Sequence, residues 1–141
     1  MLFRSGWRGT AQKIAAKSLS SFAQRISETG NSATRIFAVI GPCVSFESFE
    51  VGEEVLREFP GAEERGLARF LREEEGRRKY LMDLPGENLR QLKESALPLG
   101  MDLETDQLGH CTVKETEKFP SHRRRDRESM GGILSFIYME I

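Results

Sequence analysis

The feature that most constrains the fold of this chain is a short, almost continuously apolar run, Arg-Ile-Phe-Ala-Val-Ile, at Arg35–Ile40. It is rich in strand-forming residues and ends at Gly41-Pro42, which is typical of a buried strand that runs into a turn. Before it, the apolar residues from Thr10 to about Glu28 recur every three or four positions, as on one face of a helix. A helix followed directly by a buried strand indicates an α/β fold.

The rest of the chain continues this alternation. We predict a helix at Val51–Phe59, a helix that begins at Pro85-Gly86 and is stopped by Pro98 and Gly100, and strands at Tyr80–Leu84, His110–Val113 and Ile133–Ile141. The stretch Glu63–Lys79 is dense in charges of both signs, so we predict a solvated, partly helical excursion there. The predicted fold class is α/β, with a mixed sheet flanked by helices.

Composition excludes several classes of protein. The 141 residues carry 21 Lys plus Arg against 22 Asp plus Glu, a net charge of −1, which argues against a dedicated nucleic-acid binder. Only two cysteines are present, Cys43 and Cys111, and they show no paired spacing, so neither a disulfide framework nor a cysteine zinc cage is indicated. No apolar run approaches the roughly 20 residues of a membrane span. We therefore expect a cytoplasmic protein without a membrane or nucleic-acid partner.

The segment from Ser5 to Thr10, Ser-Gly-Trp-Arg-Gly-Thr, is the first candidate site. Its glycines allow a ligand to approach the backbone, Thr10 can cap the helix that follows, and a helix start favours anions. Arg8 adds a guanidinium suited to phosphate or carboxylate. The alternative is a tight turn in which Trp7 simply packs.

Two further segments contain groups that could carry chemistry. Cys43 follows the buried strand at Arg35–Ile40, where it is either a nucleophile or a small apolar filler. The run from Phe119 to Arg127 contains four arginines and His122, which suit an oxyanion clamp with a proton carrier, although an exposed basic loop or an RNA-binding arm has the same composition. Two histidines in the chain are too few for a metal site without other ligands.

Several short motifs occur in a fixed order. They are Gly-Trp-Arg-Gly-Thr at Gly6–Thr10, Ile-Gly-Pro-Cys at Ile40–Cys43, Phe-Glu-Val-Gly-Glu-Glu-Val at Phe49–Val55, Met-Asp-Leu at Met82–Leu84, Cys111-Thr112, and Phe119 with Ser121–Arg124, followed by an apolar strand. In this order they resemble one family, the multicopper polyphenol oxidase-like or laccase-domain family, also called peptidoglycan editing factor. Its members act as zinc-dependent purine nucleoside phosphorylases.

The resemblance covers nearly the whole chain but only the C-terminal half of the family's single domain. It implies that residues 6–141 are the C-terminal part of such a domain, an incomplete half of its fold, and that residues 1–5 are a non-native leader. Because half a domain leaves sheet edges uncovered, we expect low stability or self-association.

The resemblance also implies zinc, held by a histidine and a cysteine upstream and by the histidine of a His-Ala-Gly-Trp-Arg-Gly motif. Here Arg4-Ser5 stand in place of His-Ala, and a protonated guanidinium has no lone pair for a metal. We therefore expect zinc in the family but no metal ligand and no cofactor in this chain. In the natural protein we expect His and Ala at positions 4 and 5, after a further half-domain.

The function implied by the resemblance is phosphorolysis of adenosine- or inosine-type nucleosides, with adenosine deaminase activity also described in the family. The partners would be a purine nucleoside and phosphate. The predicted catalytic residues are Arg8, His122 and Arg124, and the predicted phosphate-binding residues are Arg8, Thr10, Arg123 and Arg124. Pro120 and Gly131-Gly132 depart from the family's second Phe and Gly-Arg. Without zinc ligands the chain is expected to be inactive, and the alternative is a non-catalytic remnant that binds anions or a partner, related to peptidoglycan editing.

Overall fold

The computed structural model describes residues 5–30, 35–121 and 123. Its elements, in chain order, are α1 (Trp7–Ala11), α2 (Ile14–Glu28), β1 (Arg35–Ile40), a 3₁₀ turn (Phe46–Ser48), β2 (Glu50–Gly52), α3 (Glu53–Leu56), β3 (Ala68–Glu74), β4 (Arg77–Met82), α4 (Leu84–Ala96), a second 3₁₀ turn (Leu97–Leu99) and β5 (Asp102–Gln107). The predicted strand at Ile133–Ile141 lies outside the described residues.

The strands form two sheets in the described part of the chain. Strands β1 and β5 pair in parallel, with Ile36 opposite Leu103 and Ile40 opposite Gln107. The other three strands are antiparallel, in the order β2-β4-β3. The predicted α/β class, with parallel and antiparallel strands flanked by helices, is confirmed.

The predicted helix at Thr10–Glu28 exists but is broken. Lys13 has a φ of 58°, in the left-handed region, and it separates α1 from α2. The first helix begins at Trp7 after Gly6, so the prediction that Thr10 caps the helix was wrong. Thr10 lies inside α1 and is completely buried.

The predicted helix after Asp83 is confirmed as α4. The Asp83 side chain accepts a hydrogen bond from the Gly86 backbone N–H at 2.9 Å, and Pro85 occupies the first turn, where its missing N–H has no cost. Gly100, with a φ of +65°, follows the second 3₁₀ turn and ends the segment as predicted.

The prediction of a partly helical excursion at Glu63–Lys79 was wrong. The segment contains β3 and the start of β4, joined by Glu75-Gly76, whose φ angles are 50° and 69° as in a tight hairpin turn. Opposite charges face each other across the strands, Glu73 with Arg78 and Glu74 with Arg77. Such cross-strand pairs stabilise a hairpin that is mostly solvent-exposed. Because a solvated helix has the same mixture of charges, the composition alone could not distinguish the two structures.

Other boundaries also differ from the prediction. Val51 lies in β2, so the predicted helix at Val51–Phe59 is only the short α3 preceded by a strand. The predicted strand at Tyr80–Leu84 begins earlier, at Arg77, and ends at Met82. Residues His110–Val113 form no strand; they contribute a single bridge, from Cys111 to Cys43.

The strand β5 was missed because its sequence, Asp-Leu-Glu-Thr-Asp-Gln, is polar. It pairs with β1 through the backbone, and Glu104 also forms an ion pair with Arg35. The strand β1 is less buried than predicted, since Phe37 is 64% exposed and Val39 46% exposed. One face of this sheet is therefore open in the described structure.

Two apolar clusters form the described core. The first joins the antiparallel sheet to α3 and contains Val51, Val55, Phe59, Ala62, Ala68, Tyr80, Met82 and Leu84, with Trp7 and Phe49 packed against it. The second joins α2 and α4 to β1 and contains Ala15, Leu19, Ile36, Leu92 and Ala96. The inner face of β1 is thus covered by two helices.

A polar seam connects α1 to α4 beside these clusters. The Asn88 amide donates to the Thr10 hydroxyl at 3.0 Å, and the Gln91 amide donates to the Thr10 carbonyl at 2.9 Å. The Glu87 carboxylate accepts from Gln91 and Arg90; although burial raises the pKa of Glu87, these hydrogen bonds outweigh it and hold the pKa below its ordinary value of 4.5. These buried groups fix α1 on α4.

No helix within the described residues is both long and apolar enough to cross a membrane.

The substitution Asn88→Ala is expected to reduce the free energy of unfolding by about 1–3 kcal/mol, because it removes a buried donor to Thr10 and to the Leu84 carbonyl. Urea unfolding followed by circular dichroism measures this. Gln24→Ala is the control, since the Gln24–Glu28 hydrogen bond is exposed, and its effect should stay within about 0.5 kcal/mol. Equal effects of the two substitutions would contradict the importance of the seam.

Among the described residues nothing covers one face of β1, so we expect this face to contribute to self-association and Phe37→Gln to weaken it, since an exposed aromatic ring favours contact with another copy. Sedimentation velocity over a range of concentrations measures this. Leu97→Gln is the control, because Leu97 is 79% exposed but lies in the second 3₁₀ turn, away from the sheet. Association that persists unchanged in Phe37→Gln would show that another surface is responsible.

Candidate anion and thiol site at the strand ends

The carboxyl ends of the parallel strands β1 and β5 meet at one edge of their sheet. Past these ends the two chain segments stay together, because the Cys43 N–H donates to the His110 carbonyl at 3.2 Å and the Thr112 N–H donates to the Cys43 carbonyl at 2.9 Å. Cys43 and Cys111 are therefore opposite each other. Ligands and reactive groups of open α/β sheets gather at such an edge.

The two thiols have different environments. Burial is the main cause that raises the pKa of Cys43 to about 11, with smaller contributions from the neighbouring Cys111 and Asp83. Burial also opposes ionisation of Cys111, but the hydrogen bonds of its sulfur, led by those with the Ser45 and Ser48 hydroxyls, prevail and lower its pKa to about 6. The Ser45 Oγ lies 3.1 Å and the Ser48 Oγ 3.6 Å from the sulfur.

The sequence analysis considered Cys43 as a nucleophile. In the structure, the cysteine whose pKa is lowered is Cys111. The serines that stabilise its thiolate lie 66 and 63 residues earlier in the chain, so only the pairing of the strand ends brings them together. The raised pKa of Cys43 keeps its thiol protonated, so Cys43 is not the thiol that ionises first.

Glu115 organises the loop that carries Cys111. Its carboxylate accepts a hydrogen bond from the Cys111 backbone N–H at 2.9 Å and contacts the His110 Nδ1 at 3.0 Å and the Lys118 Nζ at 3.1 Å. The hydrogen bond from Lys118 is the main cause that lowers the pKa of Glu115 below its ordinary value. The His110 ring also lies 5.5 Å from that of Phe119.

Arg8 is exposed at the surface, and its guanidinium lies over the Trp7 ring, 4.4 Å from the centroid. Trp7 itself packs against the first apolar cluster, as one of the two interpretations of this segment predicted. The exposed guanidinium of Arg8, on which the other interpretation depends, is also present. Thr10, predicted to bind phosphate, is buried, with its hydroxyl bonded to Ser5, Asn88 and the Gly6 carbonyl. These bonds position α1.

Arg123 is also exposed, with its guanidinium 5.2 Å from the centroid of the Phe49 ring. Phe49 packs against the same apolar cluster as Trp7. The other predicted residues, His122 and Arg124, and the substituted family position, Arg4, lie outside the described residues. The structure therefore tests the surroundings of Arg8, Thr10 and Arg123 only.

A third arginine in the described part of the chain, Arg69, also stacks on an aromatic ring, that of Phe46. Unlike Arg8 and Arg123, it forms an ion pair with a carboxylate, that of Glu47, at 2.7 Å. Within residues 5–30, 35–121 and 123, Arg8 and Arg123 form no ion pair with a carboxylate. A stacked guanidinium without a carboxylate partner remains available for an anionic ligand.

The zinc implied by the resemblance was compared with the side chains present. Within the described ranges, no three His, Cys, Asp or Glu side chains come together as a metal site. The positions to which the resemblance assigns the zinc ligands all lie outside the described residues.

Comparison with known proteins gives consistent matches. The family described as "Multi-copper polyphenol oxidoreductase laccase" matches residues 2–140. A protein of Bacteroides thetaiotaomicron named purine nucleoside phosphorylase is 34% identical over 94% of this chain and 46% of its own length. The purine nucleoside phosphorylase YlmD of Bacillus subtilis is 29% identical over 96% of this chain and 46% of its own length.

A solved structure shares the fold. The crystal structure of Bacillus licheniformis hypothetical protein YfiH matches with a TM-score of 0.62 and 28% identity, over 87% of this chain and 43% of that chain. This chain spans about half the length of the curated relatives it matches.

The backbone amide of Cys111 should report the ionisation of Glu115. Because the pKa of Glu115 is lowered, its contacts are complete above the ordinary value of 4.5 and are lost only as the pH falls through the lower folded value. A pH titration of the Cys111 amide chemical shift should therefore show a transition with a midpoint below 4.5, separate from the transition of the Cys111 thiol near 6. Glu115→Gln should abolish the lower transition and Glu117→Gln should leave it unchanged; absence of any transition below 4.5 would contradict the assigned contacts.

Proposed function

Because the chain belongs to the multi-copper polyphenol oxidoreductase laccase family, we propose that it is part of a purine nucleoside phosphorylase and supplies the cationic groups that hold phosphate. The names of its relatives support this choice of reaction. The chain covers about half of their length, so the proposal concerns its contribution to a larger active site.

The reaction determines which groups are needed. Phosphate attacks the anomeric carbon of the nucleoside while the bond to the purine breaks, and the departing base must gain a proton or a hydrogen bond. Positively charged donors hold the phosphate, orient it and stabilise the negative charge that it carries into the transition state.

The observation that carries the proposal is the pair of stacked guanidiniums without carboxylate partners in the described part of the chain, Arg8 on Trp7 and Arg123 on Phe49. The ring beneath each guanidinium limits its motion, so that fewer conformations are lost when an anion binds. Both rings pack against the same apolar cluster, which gives the two cations a common rigid support.

The remaining residues take their proposed roles from the family resemblance. Arg124 would add a second cationic contact to the phosphate, and His122 would donate a proton or hydrogen bond to the departing purine, since its ordinary pKa lies near neutrality. Thr10 contributes by holding α1, through its bonds to Asn88 and Gln91.

One related activity receives less support. Copper oxidase chemistry requires copper bound through several histidines, and this chain has two in all. Adenosine deamination relies on a metal-activated water, and one relative is named adenosine deaminase RL5. We propose that the chain alone, with Arg4 at the histidine position, is inactive.

A non-catalytic remnant is the second candidate, and the same unpaired arginines favour it. It would bind phosphate or another oxyanion without releasing a base. Phosphate binding therefore does not separate the candidates, whereas phosphate-dependent base release in a completed domain does.

The decisive protein is a chimera in which the part of the Bacteroides relative that precedes its match to Gly6 is joined to Gly6 of this chain. We expect it to release hypoxanthine from inosine only when phosphate is present. Arg8→Ala and Arg123→Ala should each lower kcat/KM about 30-fold to 1,000-fold, which corresponds to about 2–4 kcal/mol of transition-state stabilisation. Chromatographic detection of hypoxanthine measures this.

Arg57→Ala is the matched control, since Arg57 is exposed and paired with Glu53, and it should leave kcat/KM unchanged. Circular dichroism shows whether each chimera is folded. A folded chimera without base release would favour the remnant, and release that is independent of phosphate would indicate a hydrolase.

A further inference from the structure

Two cysteines lie opposite each other where the parallel strands end. Cys43 and Cys111 are bridge partners, held by two backbone hydrogen bonds that join Cys43 to His110 and Thr112. Paired positions on neighbouring strands are about 4.8 Å apart and direct their side chains to the same face. A disulfide spans Cα separations of about 4.4–6.8 Å, so this pairing suits one.

The hydrogen bonds around the pair distinguish an attacking sulfur from a resolving one. The Cys111 sulfur accepts a hydrogen bond from the Ser45 hydroxyl and donates one to the Ser48 hydroxyl, which can donate in turn once the sulfur is ionised. Cys111 is buried and Cys43 is partly exposed, and Cys43 has no hydroxyl partner of this kind among the described residues. The pKa of Cys111 is about 6 and that of Cys43 about 11, so at neutral pH the first is mainly ionised and the second is protonated.

We propose that Cys43 and Cys111 are a thiol–disulfide modification site: a peroxide oxidises Cys111, and Cys43 then closes a reversible disulfide across the ends of β1 and β5.

The chemistry balances with hydrogen peroxide as the oxidant. The Cys111 thiolate attacks one peroxide oxygen, the O–O bond breaks, and the released hydroxide takes a proton to give water and a Cys111 sulfenic acid. The Cys43 sulfur then attacks the Cys111 sulfur, the S–O bond breaks, and the Cys43 proton leaves with the hydroxyl group as a second water. Two thiols are oxidised and one peroxide is reduced, and a thiol reductant reverses the change.

The disulfide would alter the same edge of the sheet that carries the candidate site. It removes the charge that the Ser45 and Ser48 hydroxyls stabilise, close to Phe49, on which Arg123 stacks. It also joins two positions that are distant in the chain, which restricts the unfolded ensemble and stabilises the fold.

Peptide mapping of the complete 141-residue chain tests the proposal. After treatment with hydrogen peroxide at neutral pH and blocking of free thiols, trypsin should yield residues 36–57 joined to residues 94–114, lighter than the two peptides together by two hydrogen atoms. Dithiothreitol should separate them, and the oxidised chain should have the higher unfolding temperature. In the same chain unfolded in urea, the yield of the joined peptides should fall several-fold, because the thiols are no longer held opposite each other.

Variants identify the attacking sulfur. In Cys43→Ser, dimedone should trap a sulfenic acid on residues 94–114, whereas Cys111→Ser should give no adduct on residues 36–57. Replacing both Ser45 and Ser48 by Ala should slow oxidation about tenfold, through the smaller thiolate fraction. Ser20→Ala, an exposed position on α2, should leave the rate unchanged.

Several results would overturn the proposal. These are two free thiols after treatment of the folded chain, a dimedone adduct on Cys43 in preference to Cys111, or disulfides only between separate chains. The experiment measures no nucleoside chemistry, so its outcome is independent of the proposed phosphorylase function.

Discussion

The arrangement of this chain depends on the buried polar contact between α4 and α1. Asn88 and Gln91 together bind the hydroxyl and the carbonyl of Thr10, a residue with no exposed surface. These bonds offset the cost of burying the two amide N–H groups, whereas the amide oxygens of Asn88 and Gln91 are buried without a partner among the described residues. The directionality of the bonds allows few alternative arrangements. The short helix α1, which carries Trp7 and Arg8, could not hold its position through the packing of five residues alone.

The candidate anion site follows from this anchoring. With α1 fixed, Trp7 packs against the first apolar cluster and supports the Arg8 guanidinium, as Phe49 supports that of Arg123. Elsewhere in the described structure many arginines are paired with carboxylates, as Arg72 is with Glu50 and Arg69 with Glu47. Arg8 and Arg123 instead combine an aromatic stack with the lack of a carboxylate partner among the described residues, so a chain of net charge −1 can still present cations to phosphate.

Backbone pairing at the ends of β1 and β5 gives the two cysteines different chemical environments. The bridge between Cys43 and Cys111 brings the Ser45 and Ser48 hydroxyls to the Cys111 sulfur. Glu115 fixes the following loop by accepting the Cys111 N–H and contacting His110. Two thiols in one small region thus have pKa values on opposite sides of the ordinary value.

The sequence by itself determined the elements whose signals are local: the strand β1 at Arg35–Ile40, the helix α4 near Pro85-Gly86, and the family, through motifs such as Gly-Trp-Arg-Gly-Thr. It also singled out Arg8 and Arg123 as cations. Only the tertiary structure decided which cations lack carboxylate partners, that Thr10 is buried, and that Cys111 is the ionisable thiol. It also revealed the hairpin β3–β4 and the polar strand β5, because cross-strand charges and backbone pairing join residues far apart in the chain, and hydrophobic periodicity reports only on neighbouring positions.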